Sequence, residues 1–457
     1  MAVIGADAAE GRLGGYSGPG RRVVTALDAL HARLGAARVT FARGPGRSRA
    51  RDTTISSAHL RTPGGEPGLG ATYFSGPDLD GASVAQRTEA AIDFHWTFLP
   101  PVPGVAPDWF SARWEGTLVP DRTGRLELSV EGTDGFRLWL GDTLVMDEWA
   151  GQGQRRRAVP LAAVRGRGVA LRLEARQPAA NGRLRLAWSA GVVDSSEQEI
   201  RRAVLAARGA DVAIVMPGLE EGEFRDRASL ALPGRQEELI RRVAATGTPV
   251  VVVLVGGSAV TMPWLDRVGA VLDVWYPGEA GGEALAALLL GEANPAGRLP
   301  ITFPVAEGQL PLSYRHAPTG RGDDYTDLTG LPLFPFGFGL SYTRFAYSDL
   351  RLTGEAAQGI RVTCTIRNTG PRAGDEVVQV YLRDPVASVT RPVLALAGFT
   401  RVTLAPGEAQ DVELLLPRAV FEVPGPDLAP VLEPGAVTLL VGASSRDLRL
   451  RGEVMVR

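Results

Sequence analysis

Ala213-Ile-Val-Met-Pro-Gly-Leu-Glu-Glu-Gly-Glu-Phe-Arg-Asp-Arg-Ala-Ser-Leu-Ala-Leu-Pro233 is the stretch around which the chain is organised. It opens on an apolar, β-branched run, residues 212–216, of the length of a buried strand. Pro217-Gly218 stops that run. Three glutamates follow in four residues, Glu220, Glu221 and Glu223, then Arg225, Asp226 and Arg227. A helix-period pattern over 235–245 comes next. Open α/β sheets keep their chemistry just past the carboxyl ends of their strands, which is where this carboxylate cluster falls. A solvated acidic turn has the same composition, so the residues alone leave both readings open.

Working outward, the same texture recurs on both sides. Strand-like runs fall at 2–5, 249–255 and 270–275, and helix-period segments at 25–34, 197–209 and 282–290, the first with Thr25 as its N-cap. This alternation predicts a mostly parallel sheet with helices on both faces. From about residue 63 the helix period vanishes, and short alternating runs with frequent turns continue to about 192. Six of the eight tryptophans (Trp96, Trp109, Trp114, Trp139, Trp149 and Trp188) lie in this block, as a sandwich core or as a sugar-stacking platform. From 357 the texture is again all-β, with about seven short strands. The fold class is therefore multidomain α/β plus all-β. An α/β sandwich over 1–60 and 194–350 is interrupted by an inserted β-sandwich over 63–192. A C-terminal β-sandwich over 355–457 follows it.

Composition narrows the function classes. The net charge is −2 and all 49 basic residues are Arg, so nothing points to nucleic acid or an anionic membrane. One cysteine, Cys364, excludes an internal disulfide. No apolar run reaches the roughly 18 residues of a membrane span. The first residues lack the basic and apolar regions of a signal peptide, which gives a cytoplasmic expectation if Met1 is the true start. A strand that begins at residue 1 or 2 has no lead-in, and predicts further chain upstream. The glycine-rich run 11–20 lacks the G-x-x-x-x-G-K-[ST] pattern, and reads as a loop whose backbone approaches a ligand. The four histidines are scattered without ligand spacing.

Glu223-Phe-Arg-Asp-Arg227 followed by Leu230-Ala-Leu-Pro233 resembles the acid/base loop of family 3 glycoside hydrolases, with Phe224 where that family commonly has Gly. Trp275-Tyr-Pro-Gly-Glu-Ala-Gly-Gly282, Asn294-Pro-Ala-Gly-Arg-Leu-Pro-Ile-Thr-Phe-Pro304 and Leu333-Phe-Pro-Phe-Gly-Phe-Gly-Leu-Ser-Tyr342 are similar to further segments of the family. Read physically, 294–297 is a turn and 298–303 an extended strand. The resemblance implies that Glu223 is the general acid/base, with Asp226 and Arg227 supporting its loop and Glu220 and Glu221 as competitors for the role. Gly14-Gly-Tyr-Ser-Gly18 resembles the family's Gly-Gly-Tyr-Ser-Gly segment, which makes Tyr16 and Ser17 substrate contacts.

The insertion resembles a protective-antigen-type domain through Gly68–Phe74, Phe110–Thr117 and Gly132–Leu140. Thr133-Asp134 stands where lectin-like members pair two aspartates, so no metal is expected, and the family implies no cofactor. The C-terminal block resembles a fibronectin-III-like domain through Asn368-Thr-Gly370, Ala373–Gln379 and Leu404–Glu408. The family's nucleophile is an Asp in a Ser-Asp-Trp-like motif on an N-terminal TIM barrel. Asp108-Trp109 follows Pro107 inside the insertion, and is rejected as that residue. Two readings follow. The chain is the acid/base half of a β-glucosidase-like enzyme acting on a β-linked oligosaccharide or glycoside, with the barrel on a separate chain or missing. Alternatively, it is a non-catalytic carbohydrate-binding fragment that uses the inserted sandwich.

Overall fold

The computed structural model describes all residues except 15–16, 19, 48–51, 81, 97–99, 179–181, 193, 223–225 and 321–323. The chain divides into two units, Met1–Ser48 with Ser196–Arg457, and Arg49–Ser195.

The first unit is built on a five-stranded sheet with the order Ala270–Asp273, Val250–Leu254, Ala213–Val215, Ala2–Ile4, Thr40–Ala42, every pair parallel. Successive residues of these strands face opposite sides. Ala2, Ile4, Ala213, Val215, Val250 and Val252 pack with Ile200, Ala203, Leu239, Ile240 and Val243 of the helices Ser196–Arg208 and Gln236–Ala244. Val3, Ile214, Met216, Val253 and Val255 pack on the other face with Ala29, Leu30, Leu285 and Ala286 of the helices Ala26–Leu34 and Gly281–Leu289. Because both faces are covered, the strands read as continuous apolar runs.

Thr25 caps its helix with a full capping box: its hydroxyl accepts from the Asp28 amide at 3.1 Å, and the Asp28 carboxylate accepts from the Thr25 amide at 3.4 Å. Thr25→Ala is therefore expected to destabilise this unit by about 1 kcal/mol. The check is a downward shift in the denaturation midpoint of that helix, read by hydrogen exchange.

The run 298–303 is extended but is not a ladder strand. Pro300 and Pro304 remove donors, and pairing with 333–338 rests on scattered bonds such as Leu299 N–H to the Phe338 carbonyl (2.8 Å) and Phe303 N–H to the Phe334 carbonyl (2.9 Å). The ion pair between Arg298 and Glu376, at 2.9 Å with both side chains nearly inaccessible, ties this segment to the C-terminal sandwich. That sandwich has sheets of three strands (Phe345–Glu355, Gly359–Asn368, Ala409–Leu416) and four (Ala395–Leu404, Gly374–Arg383, Gly435–Gly442, Leu448–Val456). It begins at Phe345, ahead of the expected 355. A register shift between Ser348 and Arg351, with Asp349 at φ 54°, switches the inward face from Phe345 and Tyr347 to Leu350 and Leu352. That bulge hides the strand from a period-two reading.

The second unit is a pair of antiparallel sheets around one core. It also claims the short strands Thr53–Thr54 and Leu60–Arg61, which belong to these sheets and not to the α/β domain, as the boundary at 60 implied. Ser83–Glu89 and Arg155–Ala163 are strands without an apolar alternation, because few of their residues are buried. Trp96, Trp114 and Trp188 lie in the core. Trp139 lies beneath Arg172, its ring centroid 3.9 Å from the guanidinium, and Trp149 meets Arg137 and Arg176. Trp109 is 61% exposed at φ 58°. The tryptophans thus divide between core and surface.

Candidate functional site

The sheet order reverses between Ala2–Ile4 and Ala213–Val215, the topological switch point at which open α/β folds form a crevice. Here buried charge fills it. Asp7, just past the first strand, has a side chain only 1% exposed, and accepts from Arg12 at 2.8 Å and Arg47 at 2.9 Å. Burial pushes the Asp7 carboxyl up from its ordinary range, against the pull of Arg47 and Arg12. Arg12 also donates to the Leu219 carbonyl at 2.6 Å, and Arg47 to Glu10 at 2.8 Å. Glycine is required on both sides of this contact. A Cβ at Gly218 would stand 2.3 Å from Asp7 Oδ2, and one at Gly5, with φ 122°, would stand 2.2 Å from the Met216 carbonyl oxygen. The Gln236 side chain, buried at the start of its helix, bonds both the N–H and the carbonyl of Gly218, at 2.8 and 3.0 Å. The root of the glutamate-rich loop is thereby fixed on two sides.

From that root the chain runs to Glu221. Its carboxylate accepts from the Gly257 N–H, from the Ser258 hydroxyl, and from the Tyr276 hydroxyl at 3.3 Å. Arg227 stands 3.5 Å from the same carboxylate, and donates to Ser258 Oγ at 2.7 Å. Arg227 also reaches the Ser229 and Ala231 carbonyls. Glu221 and Arg227 therefore pin the two ends of the loop to Ser258, on the turn that follows Val250–Leu254. Asp226 is exposed and Glu220 is exposed. Glu223 lies outside the described residues, between the described Gly222 and Asp226.

Tyr276 links this loop to the glycine-rich one. Its ring lies 5.6 Å from the Arg12 guanidinium, and a Cβ at Gly14 would stand 3.5 Å from it. Glu279 accepts from the Arg21 N–H at 2.6 Å, and its carbonyl from the Val24 N–H at 2.8 Å. Ser17 is exposed on that loop, with its hydroxyl turned back onto the Leu13 carbonyl. Tyr16 lies outside the described residues. The loops after four strands thus converge at one rim: 5–12, 217–221, 256–258 and 275–279.

Glu221 and Arg227 lie in the glutamate-rich loop that the sequence singles out, but the groups that hold them carry no local signal. Ser258 lies just past the strand-like run 249–255, Tyr276 in the Trp275–Gly282 segment and Gln236 at the start of its helix, and only the contacts reveal their work. Among the described residues no cluster of His, Cys, Asp and Glu has metal-holding geometry.

Residues 1–342 match the glycosyl hydrolase family 3 C-terminal domain. The chain belongs to that family. Residues 376–445 match a fibronectin type III-like domain. A β-glucosidase of Rhizobium radiobacter is 35% identical over 98% of this chain and 58% of its own length. A β-xylosidase of Formosa agariphila is 41% identical over 56% of this chain and 37% of its own. Among solved structures, a Kluyveromyces marxianus β-glucosidase in complex with glucose is similar over the whole chain and 59% of its own, with TM-score 0.63 and 28% identity. A Streptomyces venezuelae β-glucosidase in complex with D-glucose covers the whole chain and 56% of its own, with TM-score 0.63 and 30% identity. The family 3 chain therefore spans less than two thirds of the length of these relatives.

Proposed function

We propose that this chain supplies the general acid/base half of a β-glucosidase-like, retaining exo-glycosidase, with Glu223 as the proton donor. Retaining glycosidases set two carboxyl groups about 5–5.5 Å apart, one to attack the anomeric carbon and one to protonate the leaving oxygen. The observation that carries the reading is the anchorage of the loop. Glu221 is committed to Gly257, Ser258 and Tyr276, and Arg227 to Ser258, so both flanks of Glu223 are held at the sheet's carboxyl rim. Glu221 is by the same contacts a loop anchor, and Asp226 and Arg227 are supporting residues. Tyr16 and Ser17 border the sugar. In the first step Glu223 gives its proton to the glycosidic oxygen as the nucleophile bonds to carbon. In the second it takes a proton from water as the glycosyl–enzyme bond is hydrolysed. The nucleophile comes from a barrel module, on the same or a separate polypeptide.

The 457-residue polypeptide by itself is expected not to turn over aryl β-glucosides. Turnover that disappears in Glu223→Gln would show that the nucleophile lies within these residues. The exposed Trp109 favours a second reading, carbohydrate binding by the inserted unit. Oligosaccharide binding that survives Glu223→Gln but is lost in Trp109→Ala would support it.

A further inference from the structure

Asp273 ends the otherwise apolar strand Ala270–Asp273. Its Oδ1 accepts from the Trp275 N–H at 3.3 Å, while its Oδ2 is buried and has no partner among the described residues. It borders a small pocket with Pro217, Leu219, Leu232, Leu254, Gly256 and Ser258. The walls combine the root of the acid/base loop with the turn that anchors it. Ser258 is the same hydroxyl that holds Glu221 and Arg227. Among the described residues Asp273 is the one titratable side chain lining the pocket; the described charged groups that reach its wall are Glu221 and Arg227, through Ser258, with Tyr276 bonded to Glu221.

We propose that Asp273 is a positioning residue for the loop that carries Glu223: protonated, it stabilises the closed packing of 217–221 against 256–258, and its ionisation loosens that packing. This inference rests on the assignment of the acid/base loop made above. A carboxylate facing mostly apolar walls loses hydration without gaining a cationic partner, which favours the neutral acid. Burial accordingly pushes the Asp273 carboxyl up to about 6. The sign follows from linkage. A carboxyl whose value is raised in the closed form supports closure fully below its ordinary value. That support is lost as pH rises towards the raised value.

The experiment is hydrogen exchange on the whole chain, reading peptides across 217–222 and 254–260 at pH 5.0 and 7.5 with intrinsic rates divided out. Protection in the native protein is expected to fall about tenfold between the two, since each unit of displaced pKa is one decade in the closing equilibrium and the lower pH already lies inside the window. In Asp273→Asn, which stays neutral, and in Asp273→Ala, protection at these peptides is expected to be independent of pH. An equal pH response in the native chain and either folded variant, or no response in the native chain, overturns the proposal. The readout needs no turnover and is expected to be unchanged in Glu223→Gln, so failure of the acid/base assignment and failure of this inference are separately visible.

Discussion

Asp7→Ala is expected to destabilise the α/β unit by about 3–5 kcal/mol, the usual cost of removing one partner from a buried ion pair. The pair in question is a three-membered set. Arg12 and Arg47 have side chains 15% and 19% exposed, and both direct a guanidinium nitrogen at Asp7 Oδ1. With the carboxylate gone, two cations are left facing each other in a crevice that water reaches poorly. Arg47 retains Glu10, and Arg12 retains the Leu219 carbonyl, which keeps the loss at a few kcal/mol. The denaturation should be followed by hydrogen exchange in Ala213–Val215, because six of the eight tryptophans report on the other unit. A change below about 1 kcal/mol would mean that the ion set repacks freely, as surface pairs do.

Glu223→Gln, in this chain joined to a nucleophile-bearing family barrel, is expected to lower kcat for an alkyl β-glucoside by roughly 10²–10⁴-fold, the range for a lost general acid. That corresponds to about 3–5 kcal/mol of transition-state stabilisation. The loss should shrink for an aryl glycoside whose leaving oxygen needs no proton. A uniform loss across leaving groups would instead describe a damaged fold, because a structural defect does not discriminate between them.

How much of this was legible in the sequence depends on the kind of residue. The parallel sheet was visible because its strands are buried on both faces, so Ala213–Val215 and Val250–Leu254 read as unbroken apolar runs. The insertion's all-β character was visible from short alternating runs, which the structure places in strands such as Phe110–Leu118 and Phe136–Leu140. Thr40–Ala42 was not, since a three-residue strand at the sheet's edge buries only Ala42. Nor was Phe345–Glu355, whose bulge shifts its phase midway. In the candidate site, the clustered glutamates advertised the loop because carboxylates are costly to hold together. Ser258 and Gln236 act through contacts with segments distant in sequence, and no local pattern encodes them.

The most direct measurement sets Glu220→Gln, Glu221→Gln and Glu223→Gln side by side in the barrel-joined enzyme, comparing kcat across leaving groups of graded acidity. Glu223→Gln should show a loss that grows steeply as the leaving group becomes less acidic, while Glu221→Gln and Glu220→Gln show smaller losses that do not depend on it. A leaving-group dependence that appears in Glu220→Gln or Glu221→Gln and not in Glu223→Gln would place the proton donor elsewhere on this rim and contradict the account.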